Sequence, residues 1–255
     1  MLNRLCIAAA LLIGVATPLT AASAAVITIT QAKANAGGVT PGDAPGFPVT
    51  LSLPGAYQFD TNLTVPANRN GILVTSHYVD IDMNGFLLLG ANAAGTKVAF
   101  HGVVSGYGDG HIHDGIIAAF KGDGIVLVAA PNSNAWVVED MQIVSNDGFG
   151  IHANTSHYLR VSNNVILVNG KSGVLCAEYC HVEGNTIADN GDSGVTLVSG
   201  TVLGNSIFSN VLAGIFDGGA VDVGYGNNTL SGNGGATDQV FAGVPMHPNA
   251  CVPSC

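Results

Sequence analysis

The sequence predicts an all-β solenoid, a parallel β-helix, on three observations. The first is a repeat. From Val138 the chain reads V-x-x-M-x-I-x-x-N-x-x-x-G-I, and from Val161 it reads V-x-x-N-x-I-x-x-N-x-x-x-G-V. The motif returns from Val182 and Val202, and in worn form from Tyr225, so its anchors step by 20 to 23 residues. A period in that range marks stacked repeats. The second observation is alternation. In Val182-Glu183-Gly184-Asn185-Thr186-Ile187 the apolar residues fall where a strand points inward, in runs too short for helices and rich in Val and Ile. The third is the placement of Asn and Gly. Asn185, Asn205 and Asn228 share one offset, Asn146, Asn169, Asn190, Asn210 and Asn233 a second, and Gly150, Gly173, Gly194 and Gly214 a third. Both residue types enter left-handed backbone cheaply, which places them at the corners of each coil. Asn at a fixed offset can also bond, amide to amide, to the next coil.

The N-x-I-x-x-N-x-x-x-G-I/V blocks resemble the right-handed parallel β-helix proteins of the pectate-lyase-like superfamily, which have three strands per coil. The stretches GVTPGDAPGFPVT (residues 38–50) and IDMNGF (residues 81–86) resemble a group of secreted bacterial β-helix proteins. The resemblance covers nearly all of the chain after its first 25 residues. It implies a single right-handed parallel β-helix of about seven coils, with a short N-terminal helical cap and an irregular C-terminal cap. It says little of activity, because one fold hosts many functions.

In chain order, residues 1–25 read as a secretory signal. Arg4 gives the positive start, residues 7–15 the apolar run, and Ala22-Ser23-Ala24 the cleavage site. The run is too short to span a membrane, and no later run reaches about 18 apolar residues. Residues 26–255 are expected as one domain: a cap over 26–56, coils over 57–235 and a second cap over 236–255. Thr30 can cap a short helix ending at Ala36, before Gly37 and Gly38. Coils anchored at Ile81 and Ile112 follow, and the long gaps after each place inserted loops at residues 101–110 and 129–135.

Composition narrows function. Only 9% of residues are charged and the formal net charge is −10, so there are few cations to hold phosphates and nucleic acid is excluded as a partner. Cys6 leaves with the signal. In an exported chain the remaining Cys176, Cys180, Cys251 and Cys255 favour disulfides. Three connectivities exist, of which the two local pairs, Cys176–Cys180 and Cys251–Cys255, are preferred over distant pairs or free buried thiols.

Residues flanking each inward anchor point outward. They put Asp80, Asp82, His111, His113, Glu139, Arg160, His181 and Glu183 on one face, with coils ~4.8 Å apart. A solvated polar face is the preferred explanation. If the face is a site, His113, Glu139, Asp82 and Arg160 are the catalytic candidates and His111, His181 and Glu183 the substrate-binding ones. Asp80, Asp82, His111 and His113 are the candidate metal ligands, although H-x-H is a weak signal. Trp136, at an inward offset, is expected in the core. With no recognised catalytic set, the chain reads as a non-catalytic structural or carbohydrate-contacting protein of the cell envelope or extracellular space. The alternative is a glycoside hydrolase or polysaccharide lyase. Superfamily enzymes hold polysaccharide along outward strand faces, and here a calcium ion on Asp80 or Asp82 could bridge an acidic chain to an acidic glycan.

Overall fold

A computed structural model describes residues 25–128, 135–236, 239–252 and 255. The expected export signal and most of the expected loop at 129–135 lie outside the described residues. The chain is a right-handed parallel β-helix: one 24-stranded sheet wraps around a single core, with parallel pairing between successive coils. Its three faces are set by three apolar rows. Face A stacks Tyr57, Ile81, Ile112, Val138, Val161, Val182, Val202 and Tyr225 in register. Face B stacks Leu63, Leu88, Ile117, Ile143, Ile166, Ile187, Ile207 and Leu230. Face C stacks Val49, Ile72, Val103, Ile125, Ile151, Val174, Val195 and Ile215. Apart from Tyr225, which packs partly buried against the core, these side chains are fully buried. Burying each Val or Ile contributes about 1.5–3 kcal/mol.

Eight coils result, one more than the expected seven, because Val49–Leu51 already forms a face C strand paired with Ile72–Val74. At the N-terminus, Ile27–Ile29 joins face A and leads into a helix, α1 (Gln31–Ala36). Thr30 caps α1 by accepting from Lys33 N at 3.1 Å, and Gly37 N donates to Lys33 O at 2.8 Å. The C-terminal tail is more regular than expected. Val240–Phe241, Val244–Pro245 and Ala250–Val252 continue faces C, A and B as an abbreviated ninth coil. Both local disulfides are present, Cys176–Cys180 and Cys251–Cys255. Trp136 is buried and donates from Nε1 to Tyr107 O at 2.8 Å. Among the described residues no helix is long and apolar enough to cross a membrane.

Two expectations are corrected. Residues 101–110 are not an inserted loop, since Val103–Ser105 is a face C strand. The extra length sits just upstream, where Asn92–Ala93 and Thr96–Lys97 form a small antiparallel hairpin. The second correction concerns the corners. The repeated Asn and Gly residues are not the left-handed ones; the residue before each Asn is. Asn163, Gly184, Gly204 and Asn227 turn the corner from face A to face B, and Ser145, Val168, Asp189, Ser209 and Gly232 the next one, all with φ between 54° and 67°. Each turn delivers the following Asn into the corner, where the side chains form two continuous ladders. One runs Asn164, Asn185, Asn205, Asn228, Asn249, and the other Asn146, Asn169, Asn190, Asn210, Asn233, Gln239.

Val168 is the poorest fit to its column. It is β-branched and exposed, and it sits at φ 57°. A left-handed conformation costs a residue with a Cβ roughly 1–2 kcal/mol, less for Asn. Val168→Asn should therefore raise stability by about 1 kcal/mol, a rise of about 2–4 °C in thermal midpoint for a domain of this size. A lower midpoint would show that the turn does not carry this strain.

Candidate functional site

The register of face A brings the outward residues together as alternation predicts. Val79–Asp82 pairs with Gly110–Ala118 so that Asp80 lies beside His111 and Asp82 beside His113. On the other side Trp136–Val144 places Val137 beside His111 and Glu139 beside His113. The two imidazoles stack with ring centroids 4.1 Å apart.

One nitrogen of each ring is held by a carboxylate. His111 Nε2 donates to Glu139 Oε1 at 3.0 Å, and His113 Nδ1 donates to Asp114 Oδ2 at 2.8 Å. Glu139 is fixed in turn by Ser162 Oγ at 3.2 Å. The second nitrogen of each ring, His111 Nδ1 and His113 Nε2, faces Asp80 Oδ1 at 3.2 Å. That oxygen is buried and accepts no hydrogen bond. With each ring neutral and its proton directed at its own carboxylate, three lone-pair atoms converge. Their repulsion is relieved either by a second proton on an imidazole or by a bound cation. The three donor atoms lie within 4.8 Å of one another. The 3.2 Å spacing suits neighbouring ligands of an ion with bonds of about 2 Å. A carboxylate on the far nitrogen of a ligating imidazole is the usual way its tautomer and direction are set.

Burial pulls His113 toward a lower pKa, but the Asp114 hydrogen bond and the charges of Asp80, Asp82 and Asp114 outweigh it and hold the imidazole above its ordinary value. Asp82 is engaged elsewhere: Oδ2 accepts from Gln58 Nε2 at 2.7 Å and Oδ1 from Asn84 N at 2.7 Å. An alternative group of Asp82, His113 and Asp114 is also compact, but Asp114 is exposed.

The remaining candidates share the face without joining this cluster. Arg160 stacks in register between Val137 and His181, and among the described residues no ion pair involves it. His181 spends both nitrogens locally, one on Thr201 and one on Glu183 at 2.9 Å. It lies three coils from His111, nominally ~14 Å away.

Two groups escape alternation. Asp114 is left-handed at φ 56°, so its side chain turns back to His113 instead of following the period of two. On another face, buried Asp123 accepts from His152 Nδ1 at 2.9 Å and Phe149 N at 2.8 Å, while its own N–H donates to His101 Nδ1 at 2.9 Å. Burial raises the Asp123 carboxyl, but these hydrogen bonds and the two imidazoles hold it below its ordinary value. Burial lowers His101. Its members come from three coils: His101 and Asp123 each lie two residues before a face C anchor, and His152 one residue after the next.

Among solved structures, the Dettilon tailspike protein (gp208) matches at a TM-score of 0.52 and 15% identity, over 81% of this chain and 46% of that one. A double mutant of the periplasmic alginate epimerase AlgG matches at 0.47 and 15%, over 76% and 48%. The A-module of the Azotobacter vinelandii mannuronan C-5 epimerase AlgE4 matches at 0.44 and 16%, over 88% and 84%. The chain thus spans about half the length of the first two, and the tailspike likeness supports the fold alone. No curated protein matches the sequence significantly. The family model described as "Periplasmic copper-binding protein (NosD)" matches residues 48–236, about three quarters of the chain, and the chain therefore belongs to the NosD family.

Proposed function

We propose that this protein is an exported, non-catalytic β-helix that holds a copper ion on face A. Asp80 Oδ1, His111 Nδ1 and His113 Nε2 are its ligands. The observation that carries the reading is the convergence of these three atoms on one point, each imidazole oriented by a carboxylate and Asp80 Oδ1 accepting no hydrogen bond. The description of the family supports the choice of metal. Imidazole and carboxylate donors suit Cu(II), whereas Cu(I) prefers thiolate or thioether, and Cys176, Cys180, Cys251 and Cys255 are tied up in disulfides. Calcium is a poorer candidate, since it takes six to eight oxygen ligands. The engagement of Asp82 and Glu139 in hydrogen bonds within the face favours an orienting role over acid–base work.

When bound, copper would supply a redox-active, Lewis-acidic centre. The chain's own contribution is to fix the tautomers, through Glu139 and Asp114, and to present the ligands from adjacent coils that cannot move apart. The test is a calorimetric titration of chelator-treated protein with Cu(II). One equivalent should bind, and Glu139→Gln, which keeps size but weakens the hold on His111, should lower affinity about 10–100-fold. Unchanged affinity in Glu139→Gln and in His111→Ala/His113→Ala would remove the copper from this face.

A further inference from the structure

The corner between faces C and A carries three tyrosines, two of them in adjacent coils. Tyr78, Tyr158 and Tyr179 each sit three residues before a face A anchor, each at φ 55° to 57°. For a bulky residue a left-handed backbone is a true outlier. All three side chains are more than half exposed, so core burial does not offset that strain.

Tyr158 and Tyr179 stack, with centroids 5.2 Å apart and planes 15° from parallel. One face of Tyr179 is covered by Tyr158, and Tyr179 lines a cleft together with Ser199, Gly200 and Thr201 of the next coil. There the column drops to Ser199, whose Oγ accepts from Tyr179 N at 3.0 Å, and Gly200 follows in the same coil, in register with Cys180. Gly200 cannot gain a side chain, because a Cβ would run into the backbone of Cys180. The drop leaves a cleft of about 400 Å³ beside the Tyr179 ring, within the size range of small-ligand sites. Glu178 and Asp222 border it. Glu178 also faces His157 Nδ1 at 3.8 Å, and Asp222 pairs in register with Ser199. The Cys176–Cys180 disulfide staples the short loop that presents Glu178 and Tyr179, so this wall is held in place.

We propose that this cleft binds a small soluble organic cation, a quaternary ammonium head of about choline's size. An open aromatic face attracts a cation through its quadrupole. Two carboxylates at the rim add charge complementarity, in a chain of net charge −10. The site is independent of the copper reading, since it shares no residue with Asp80, His111 and His113.

The experiment titrates the intact protein with choline and, in parallel, with its uncharged isostere in which carbon replaces the quaternary nitrogen. Binding is read from the chemical shifts of labelled tyrosine rings. Choline should bind saturably and the isostere at least about fivefold more weakly. Tyr179→Phe should stay within about twofold of the parent, because the ring face remains. Tyr179→Asn should lose at least about fivefold while folding as well as the parent, since Asn tolerates the left-handed turn. Glu178→Gln with Asp222→Asn should weaken binding about threefold or more. Absence of saturable binding, equal binding of the isostere, or full affinity in Tyr179→Asn would each overturn the proposal.

Discussion

Asn190→Ala is expected to destabilise the protein by about 2–4 kcal/mol. Asn190 is fully buried in the middle of the second ladder. Its Oδ1 accepts from the N–H and the Nδ2 of Asn169, both at 3.0 Å, and its Nδ2 donates to Ile166 O at 3.3 Å and to Asn210 Oδ1 at 2.9 Å. Alanine would leave Asn169 N without an acceptor and take one partner from Ile166 O, Asn169 Nδ2 and Asn210 Oδ1, although Asn169 Nδ2 keeps Ile143 O and Asn210 Oδ1 keeps the backbone N–H of residue 190. Each unsatisfied buried group costs about 1–3 kcal/mol and each lost hydrogen bond about 1 kcal/mol. Urea unfolding read by circular dichroism measures the change as a shift in midpoint at constant slope. Asn249, at the end of the first ladder, is the comparison. Its Oδ1 accepts from Asn228 N and Nδ2, but its own amide nitrogen has no partner, so Asn249→Ala should cost clearly less. A loss below about 1 kcal/mol for Asn190→Ala would mean that the ladders decorate the coils without holding them together.

Gly173→Ala should be nearly as damaging, for a different reason. A Cβ at Gly173 would stand 2.5 Å from Ile187 Cγ2 and 2.8 Å from the carbonyl oxygen of Gly194 in the next coil. Neither neighbour can retreat: Ile187 is in the core, and Gly194 O accepts from Val174 N at 3.0 Å. Overpacking against fixed partners costs about 1–3 kcal/mol, and a clash with backbone belongs at the upper end. Gly204 is the contrasting case. It is left-handed at φ 64°, but a Cβ there would meet nothing within 4 Å. Gly204→Asn should therefore unfold close to the parent, while Gly173→Ala unfolds at markedly lower urea. Equal effects at the two positions would show that the repeated glycines serve turn conformation, not the close approach of successive coils.

These two positions also show how far the sequence could be read. The face A register was legible because Val161, Val182 and Val202 carry the same Asn and Gly offsets, and counting back from them placed Asp80, His111, His113 and Glu139 correctly on one surface. The ladders were legible for the same reason. The role of Gly173 was misread, because a repeated glycine looks alike whether it is needed for its φ or for the absence of a Cβ. Only the position of the neighbouring coil distinguishes the two. Val103–Ser105 was missed as a strand because the hairpin at residues 92–97 had already broken the period. Asp114 was missed because a left-handed residue leaves the alternation on which outward pairs are counted. The corner tyrosines are not legible in the sequence, since nothing in composition separates a corner residue from a strand residue.

The most direct test of the copper site is an anomalous-difference map, recorded at the copper edge, from crystals of the Cu(II)-loaded protein. The proposed reading predicts a single strong peak between Asp80 Oδ1, His111 Nδ1 and His113 Nε2, absent from crystals of His111→Ala/His113→Ala grown and loaded alike. A peak elsewhere on the solenoid, or no peak at one equivalent of bound copper, would contradict it.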